Sequence, residues 1–264
     1  MFKKFQSTTR KYLSLIPLLQ PITITTSYVF ITFPSPILYA EESKTFFDKG
    51  FEKAERGDYF GAIYDYTSEI EMNPNNEKAY YNRGWARGKI NDHSGAILDY
   101  KKAINLNPSY EKAIYGLAYS KGILGNYYGS ITDYTRLINI NPEHESAYFG
   151  RAYSKSKINN AYGSIADYTQ VIKLNPKNEN AFYNRGLEKH NLNQYYEAIS
   201  DYSKAVEINK KYFKAFLNRS ISKSIIGDIK GACKDAKKAK SVGYKSIENE
   251  NWIKENCSSS FKLF

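Results

Sequence analysis

A chain of 264 residues with 25% charged and 42% hydrophobic side chains is long enough for one or two folded domains and too apolar to be disordered. Its 16 glycines and 8 prolines are too few for a fibrous or low-complexity chain. The net charge of +11 can attract nucleic acid or anionic lipid, but the charges are spread along the chain, with no dense Lys/Arg run after the first 40 residues. No nucleic-acid motif accompanies them, so nucleic acid is not expected as a partner.

Lys3, Lys4, Arg10 and Lys11 precede an uncharged stretch, 12–40, which ends before Glu41 and Glu42. A basic start, an apolar middle and a small residue before a polar segment describe a secretory signal peptide ending at Ala40. Leu38 is larger than such a site prefers. The same stretch is long enough to span a bilayer, so an uncleaved membrane anchor through residues 12–39 stays open beside cleavage. Pro17, Pro21, Pro34 and Pro36 argue against one straight helix there. Both readings place the remainder outside the cytoplasm, in a periplasm or thylakoid lumen, either soluble or anchored.

Beyond the leader the four prolines are Pro74, Pro108, Pro142 and Pro176, each 34 residues after the last and each preceded by asparagine. Asn209-Lys210 continues the series without proline. A fixed period of this kind marks a repeat architecture. Six units follow, 43–76, 77–110, 111–144, 145–178, 179–212 and 213–246, with the proline in the thirty-second slot. The fifteenth slot reads Gly57, Asn91, Gly125, Asn159, Asn193 and Gly227. Glycine and asparagine best tolerate the left-handed conformation that ends a helix. Each unit is therefore predicted to be two antiparallel helices of about 13 residues. The second helix carries an apolar stripe, Ala96, Ile97, Tyr100, Ala103 and Ile104 in one unit and Ala198, Ile199, Tyr202, Ala205 and Val206 in another.

This 34-residue helix–turn–helix, with Gly-Ala-Ile, a central aromatic and a terminal Asn-Pro, resembles the tetratricopeptide repeat (TPR), and its wording is similar to the arrays of exported bacterial and cyanobacterial proteins. The resemblance implies an all-α fold, a right-handed superhelical α-solenoid of six units over 43–246 with a concave groove. Residues 247–264 are read as a capping helix and tail, with Ile247, Trp252 and Ile253 on the helix. The resemblance also implies a non-enzymatic scaffold that binds a protein or peptide segment. A membrane-anchored assembly factor and an end-to-end homo-oligomeric array are the rival readings.

The chain departs from the family in three slots. The seventh is Lys49, Arg83, Leu117, Arg151, Arg185 and Arg219. The eleventh is Lys53, Arg87, Lys121, Lys155, Lys189 and Lys223. The twenty-third is Asp65, Asp99, Asp133, Asp167, Asp201 and Asp235. Slots seven and eleven share one helical face. They form either a structural ion-pair ladder with the aspartates or a cationic stripe that recruits an acidic partner.

In TPR arrays the second, fifth, sixth, ninth and twelfth slots tend to face the groove. Here they place Phe47, Phe51, Tyr81, Trp85, Tyr115, Tyr119, Phe149, Tyr153 and Tyr183 there, with Asn82, Asn184 and Asn218 and a lysine edge of Lys78 and Lys112. Rigid aromatics and bifunctional asparagines suit capture of an extended backbone. The same aromatics could instead fill the core.

His93, His144 and His190 are far apart and read as surface residues. No metal-ligand spacing, phosphate-binding loop or nucleophile motif occurs, so no metal, cofactor or catalytic residue is expected. Cys233 stands where the other units have isoleucine and is expected to be buried. With Cys257 it is a candidate disulfide pinning the cap, the alternative being two free thiols.

Overall fold

A computed structural model describes residues 44–257, and every regular element in that range is an α-helix. Each unit contributes an A helix and a B helix. The first three pairs are α1 (Phe46–Glu55) with α2 (Tyr59–Met72), α3 (Glu77–Lys89) with α4 (His93–Leu106), and α5 (Glu111–Ile123) with α6 (Tyr127–Ile140). The next three are α7 (Glu145–Lys157) with α8 (Ala161–Leu174), α9 (Glu179–Asn191) with α10 (Tyr195–Ile208), and α11 (Phe213–Ile225) with α12 (Ile229–Ser241). A final helix, α13 (Ile247–Asn256), lies against α12.

The punctuation residues act locally. All six fifteenth-slot residues have positive φ, from +59° at Asn193 to +84° at Gly57 and Gly227, which turns the A helix back on itself. The next residue caps the B helix in five units. The side chains of Asp58, Asp92, Asn126, Asn160 and Asp228 accept from the backbone N–H of the glycine three residues on. The Asn of each Asn-Pro pair ends its B helix as C-cap. The proline then supplies the turn into the next unit.

Between the helices the core is a column of small and large residues in register. The third-slot alanines of units two to six (Ala79, Ala113, Ala147, Ala181 and Ala215) are fully buried. They allow each A helix to approach the preceding unit closely. The twenty-fourth slot is Tyr66, Tyr100, Tyr134, Tyr168 and Tyr202, at most 4% exposed. Glycines make room for these rings. A Cβ on Gly84 would stand 3.0 Å from the Tyr100 ring, and one on Gly186 would stand 2.9 Å from Tyr202. Gly116 and Gly150 receive the far ends of Tyr100 and Tyr134 from the preceding unit even more closely. Burial pushes the Tyr66 hydroxyl up to about 12 and the other four column tyrosines higher still, so all stay protonated.

Neighbouring A helices touch one another (α1 with α3, α3 with α5, α5 with α7, α9 with α11), whereas no B helix makes a comparable contact with the next B helix. The A helices therefore line the crowded inner face of the row, and the B helices form its outer face.

The cap differs from expectation in one respect. Ile247 is 78% exposed and takes no part in the packing, while Trp252 and Ile253 are half-buried and Asn249 is the buried residue of α13. Cys233 and Cys257 form a disulfide that joins α12 to the C-terminal end of α13. Cys233 is half-buried rather than buried, as are Ile63, Ile97, Ile131, Ile165 and Ile199 in the same slot. That slot faces the next unit only partly. The leader, including the cleavage site at Ala40 and the anchor at 12–39, lies outside the described residues.

Candidate functional site

The inner face carries two adjoining pockets. The first, of about 440 Å³, lies between units two and three and is lined by Tyr81, Trp85, Lys89, His93, Lys112, Tyr115, Tyr119 and Ser120, among others. The second, of about 390 Å³, lies between units three and four and is lined by Tyr115, Tyr119, Ile123, Tyr134, Phe149, Tyr153 and Ser154, among others. Tyr115 and Tyr119 belong to both, so the two form one aromatic trough across three units. A shallower depression of about 610 Å³ at Pro108, Ser109, Thr132, Thr135, Arg136, Asn139 and Ile140 lies on the turn side, without converging aromatics.

The fifth-slot aromatics serve core and groove at once. Tyr81 packs on Tyr100 at 6.0 Å, Tyr115 on Tyr134 at 5.7 Å, Phe149 on Tyr168 at 5.3 Å and Tyr183 on Tyr202 at 5.9 Å, yet each stays half-buried. Phe47 does the same against Tyr66 at 5.8 Å. Tyr81, Tyr115 and Phe149 thus seal the tyrosine column and line the trough at once. The ninth slot stands freer, with Phe51, Tyr119 and Tyr153 48%, 50% and 47% exposed. Trp85 is held half-buried by Tyr59, and the Lys89 ammonium lies 5.0 Å from its ring centre. Lys112 lines the first pocket, whereas Lys78 is exposed and lines neither. Asn82 and Asn184 are half-buried, and Asn218 donates to the Tyr183 hydroxyl at 2.9 Å, so that side chain is already engaged. Tyr183, Asn184 and Asn218 therefore lie outside the trough proper.

The seventh, eleventh and twenty-third slots form an internal ladder. The Arg83, Arg151, Arg185 and Arg219 guanidiniums each grip Asp99, Asp167, Asp201 and Asp235 respectively with two hydrogen bonds of 2.6–3.0 Å. The eleventh-slot cation adds a second pair to each aspartate, as with Arg87 at 2.8 Å, Lys155 at 2.8 Å, Lys189 at 2.7 Å and Lys223 at 2.8 Å. The third guanidinium nitrogen crosses to a hydroxyl in the preceding unit: Thr67, Thr135, Thr169 or Ser203, at 3.0–3.1 Å. Each guanidinium also lies over a fourth-slot ring, Tyr80, Tyr148, Phe182 or Phe216. Unit three breaks the pattern with buried Leu117 and Ile114, and the slot of unit two that supplies the hydroxyl elsewhere is an exposed lysine, Lys101. Asp133 there pairs with Lys121 alone, at 2.5 Å. In unit one Lys53 pairs with Asp65 at 2.7 Å without a well-aligned hydrogen bond, and Lys49 lies over Phe46. The arginine side chains are only 14–15% exposed, so these cations are spent inside the array, on the aspartate of their own unit and a hydroxyl of the preceding one. They do not form an open stripe for an acidic partner.

The histidines are not surface residues. His93 is buried, 3.4 Å from the Ser120 hydroxyl. His144 caps α7 by accepting from Ala147 N–H and stacks on Tyr115. His190 meets the Ser222 hydroxyl at 2.8 Å, and burial lowers its pKa from 6.5.

Two features lie outside the expected site residues. Glu188 is a buried carboxylate in the tenth slot, where Ala86, Ser120, Ser154 and Ser222 are small, and it accepts from the Ser156 hydroxyl at 2.5 Å. Unit one also has a glutamate there, Glu52, but it is only half-buried and pairs with Lys44, so Glu188 stands out by its burial. Five lysines of α12 (Lys230, Lys234, Lys237, Lys238 and Lys240) are all exposed. They correct the impression that the charge is evenly spread. The signal was the stretch KDAKKAK, 234–240.

The tetratricopeptide repeat model matches residues 77–110 and 179–212, which coincide with units two and five. The chain carries tetratricopeptide repeats. Its TPR units superpose on the solved structure of MamA with a TM-score of 0.61 at 25% identity, covering 62% of this chain and 96% of that one. YrrB, described as a TPR protein with an unusual peptide-binding site, gives 0.62 at 18% identity, covering 72% and 97%. PilF of Pseudomonas aeruginosa gives 0.66 at 12% identity, covering 80% and 96%. A comparison with curated proteins finds no match. The TPR fold is a scaffold for protein–protein interaction, and no cluster able to hold a metal occurs among the described residues.

Proposed function

We propose that this TPR array holds an extended segment of a partner protein in the trough of units two to four, as a non-enzymatic scaffold in an extracytoplasmic compartment. The observation that carries the reading is the continuity of the two pockets through Tyr115 and Tyr119. Half-exposed aromatic faces give large contact area at small entropic cost, and Lys89 and Lys112 add a cationic margin at one end. The peptide-binding site named for YrrB supports the class of ligand. The disulfide between Cys233 and Cys257 supports an oxidising compartment, in line with the leader of residues 1–40.

A photo-crosslinking side chain at position 119, compared with one at the outward position 162, tests the trough. One partner trapped at 119 and absent at 162, with trapping lost in Tyr115→Ala/Tyr153→Ala, is the expected result. Equal trapping at both positions would refute the reading. A membrane-anchored assembly factor working through a basic ladder has less support, because the ladder cations are paired inside the array. End-to-end assembly has no observation in its favour.

A further inference from the structure

Slots eighteen, twenty-two and twenty-six lie four residues apart on the outer face of each B helix. Across the six units these are eighteen positions, all exposed except half-buried Ser68. None is Asp or Glu, although the chain has 27 acidic residues. The eighteenth slot sets out Phe60, Tyr128, Tyr162 and Tyr196, each 71–73% exposed. Leu98 and Tyr64 in the twenty-second slot are 64% and 69% exposed. The twenty-sixth slot brings Lys102, Arg136 and Lys204, and in α12 all three positions are lysine: Lys230, Lys234 and Lys238. The ridge is thus aromatic along one edge, basic along the other and wholly basic at its C-terminal end.

We infer that this outer ridge docks the protein on an anionic lipid bilayer. Tyrosine and phenylalanine rings exposed to this degree suit the headgroup level of a membrane, and lysines beside them sit in the negative potential of acidic lipids. Charge complementarity selects the occupant. Among the described residues Lys230, Lys234 and Lys238 have no acidic partner on the array, unlike Lys240, which Glu250 holds at 2.9 Å. A single-stranded nucleic acid also takes rings and cations, but it needs a channel that follows its backbone. Here the rings stand at most one per helix in the eighteenth slot, 71–73% exposed on the outward side, and none of them lines a pocket found on the inner face. A flat surface asks for no more.

The test uses the full chain with phosphatidylcholine vesicles, with and without phosphatidylglycerol. Residues 1–40 could enter a bilayer by themselves, so the quantity read is the difference between variants sharing the same leader. A lysine at an anionic surface is worth about fivefold in partitioning. Lys230→Gln/Lys234→Gln/Lys238→Gln is expected to bind anionic vesicles about 100-fold more weakly, with unchanged binding to phosphatidylcholine alone. In Tyr196→Trp, brominated lipid should quench the added fluorescence in anionic vesicles only. Unchanged partitioning of the triple variant, or no quenching at position 196, overturns the proposal. Retention of single-stranded RNA in preference to vesicles, lost in the same triple variant, would assign the ridge to nucleic acid and also overturn it.

Discussion

Replacing Arg151 by alanine should be among the most costly single substitutions in the array. Its guanidinium makes two bonds to Asp167, at 2.9 and 2.7 Å, one to Thr135 at 3.1 Å, and covers the Tyr148 ring. Asp167 is only 5% exposed in its side chain. Breaking a buried pair costs about 3–5 kcal/mol because the remaining charge is stranded, and losing the ring contact adds about 0.5–2 kcal/mol. Lys155 stays beside Asp167 at 2.8 Å, so the lower end applies, about 3 kcal/mol in all. The junction between units two and three shows how the loss can be repaired, with Lys101, Ile114 and Leu117 in the corresponding positions and a single lysine on Asp133. Thr135→Lys/Tyr148→Ile/Arg151→Leu should therefore recover part of the loss, since apolar packing refills the space while Asp167 keeps Lys155 as Asp133 keeps Lys121. Denaturant titration, with hydrogen exchange over α7 and α8 to localise the effect, reads both variants. A loss below about 0.5 kcal/mol for Arg151→Ala, the size of a surface change, would refute the reasoning.

Gly150→Ala should destabilise by about 1–3 kcal/mol, because its Cβ would enter the Tyr134 ring, whereas Gly88→Ala, with open space, should gain up to about 1 kcal/mol. Thermal unfolding should move in opposite directions for the two. Reducing the disulfide opens a link of 24 residues separation, worth about 3 kcal/mol in chain entropy. Exchange should then speed up in α13 while α1 to α10 keep their protection. His190 has a folded pKa below 6.5, so the unfolded chain binds its proton first. Its stabilising contribution is full above 6.5 and is lost as pH falls. Opening of units five and six, followed by exchange, should increase on acidification and be less pH-dependent in His190→Gln.

The fold was legible because its punctuation is chemical. Proline after asparagine closes four of the six helix pairs, and a left-handed Gly or Asn at the fifteenth slot marks the turn inside every pair, all six with the expected positive φ. The trough was legible only in part. Tyr115 or Phe149 in an amphipathic helix cannot be assigned to core or surface by period alone, because the answer is both. One ring face meets Tyr134 or Tyr168 from the B helix of the same unit, a contact between residues 19 apart. Glu188 and the histidine–serine contacts were obscured for another reason. Each is ordinary along the chain and becomes informative only against the same slot in the other units or against a neighbour about 30 residues away, as Ser156 is from Glu188.

The hydroxyl–arginine and lysine–leucine junctions constrain how the array can change length. Loss of unit four would bring Thr135 opposite Arg185, and loss of unit five would bring Thr169 opposite Arg219, so a matching junction re-forms in each case. Loss of unit three would set Lys101 against Arg151, and loss of unit two would set Thr67 against Leu117. Only their joint loss restores a match, Thr67 with Arg151. By this matching, units two and three form one exchangeable block, while units four and five are each exchangeable alone.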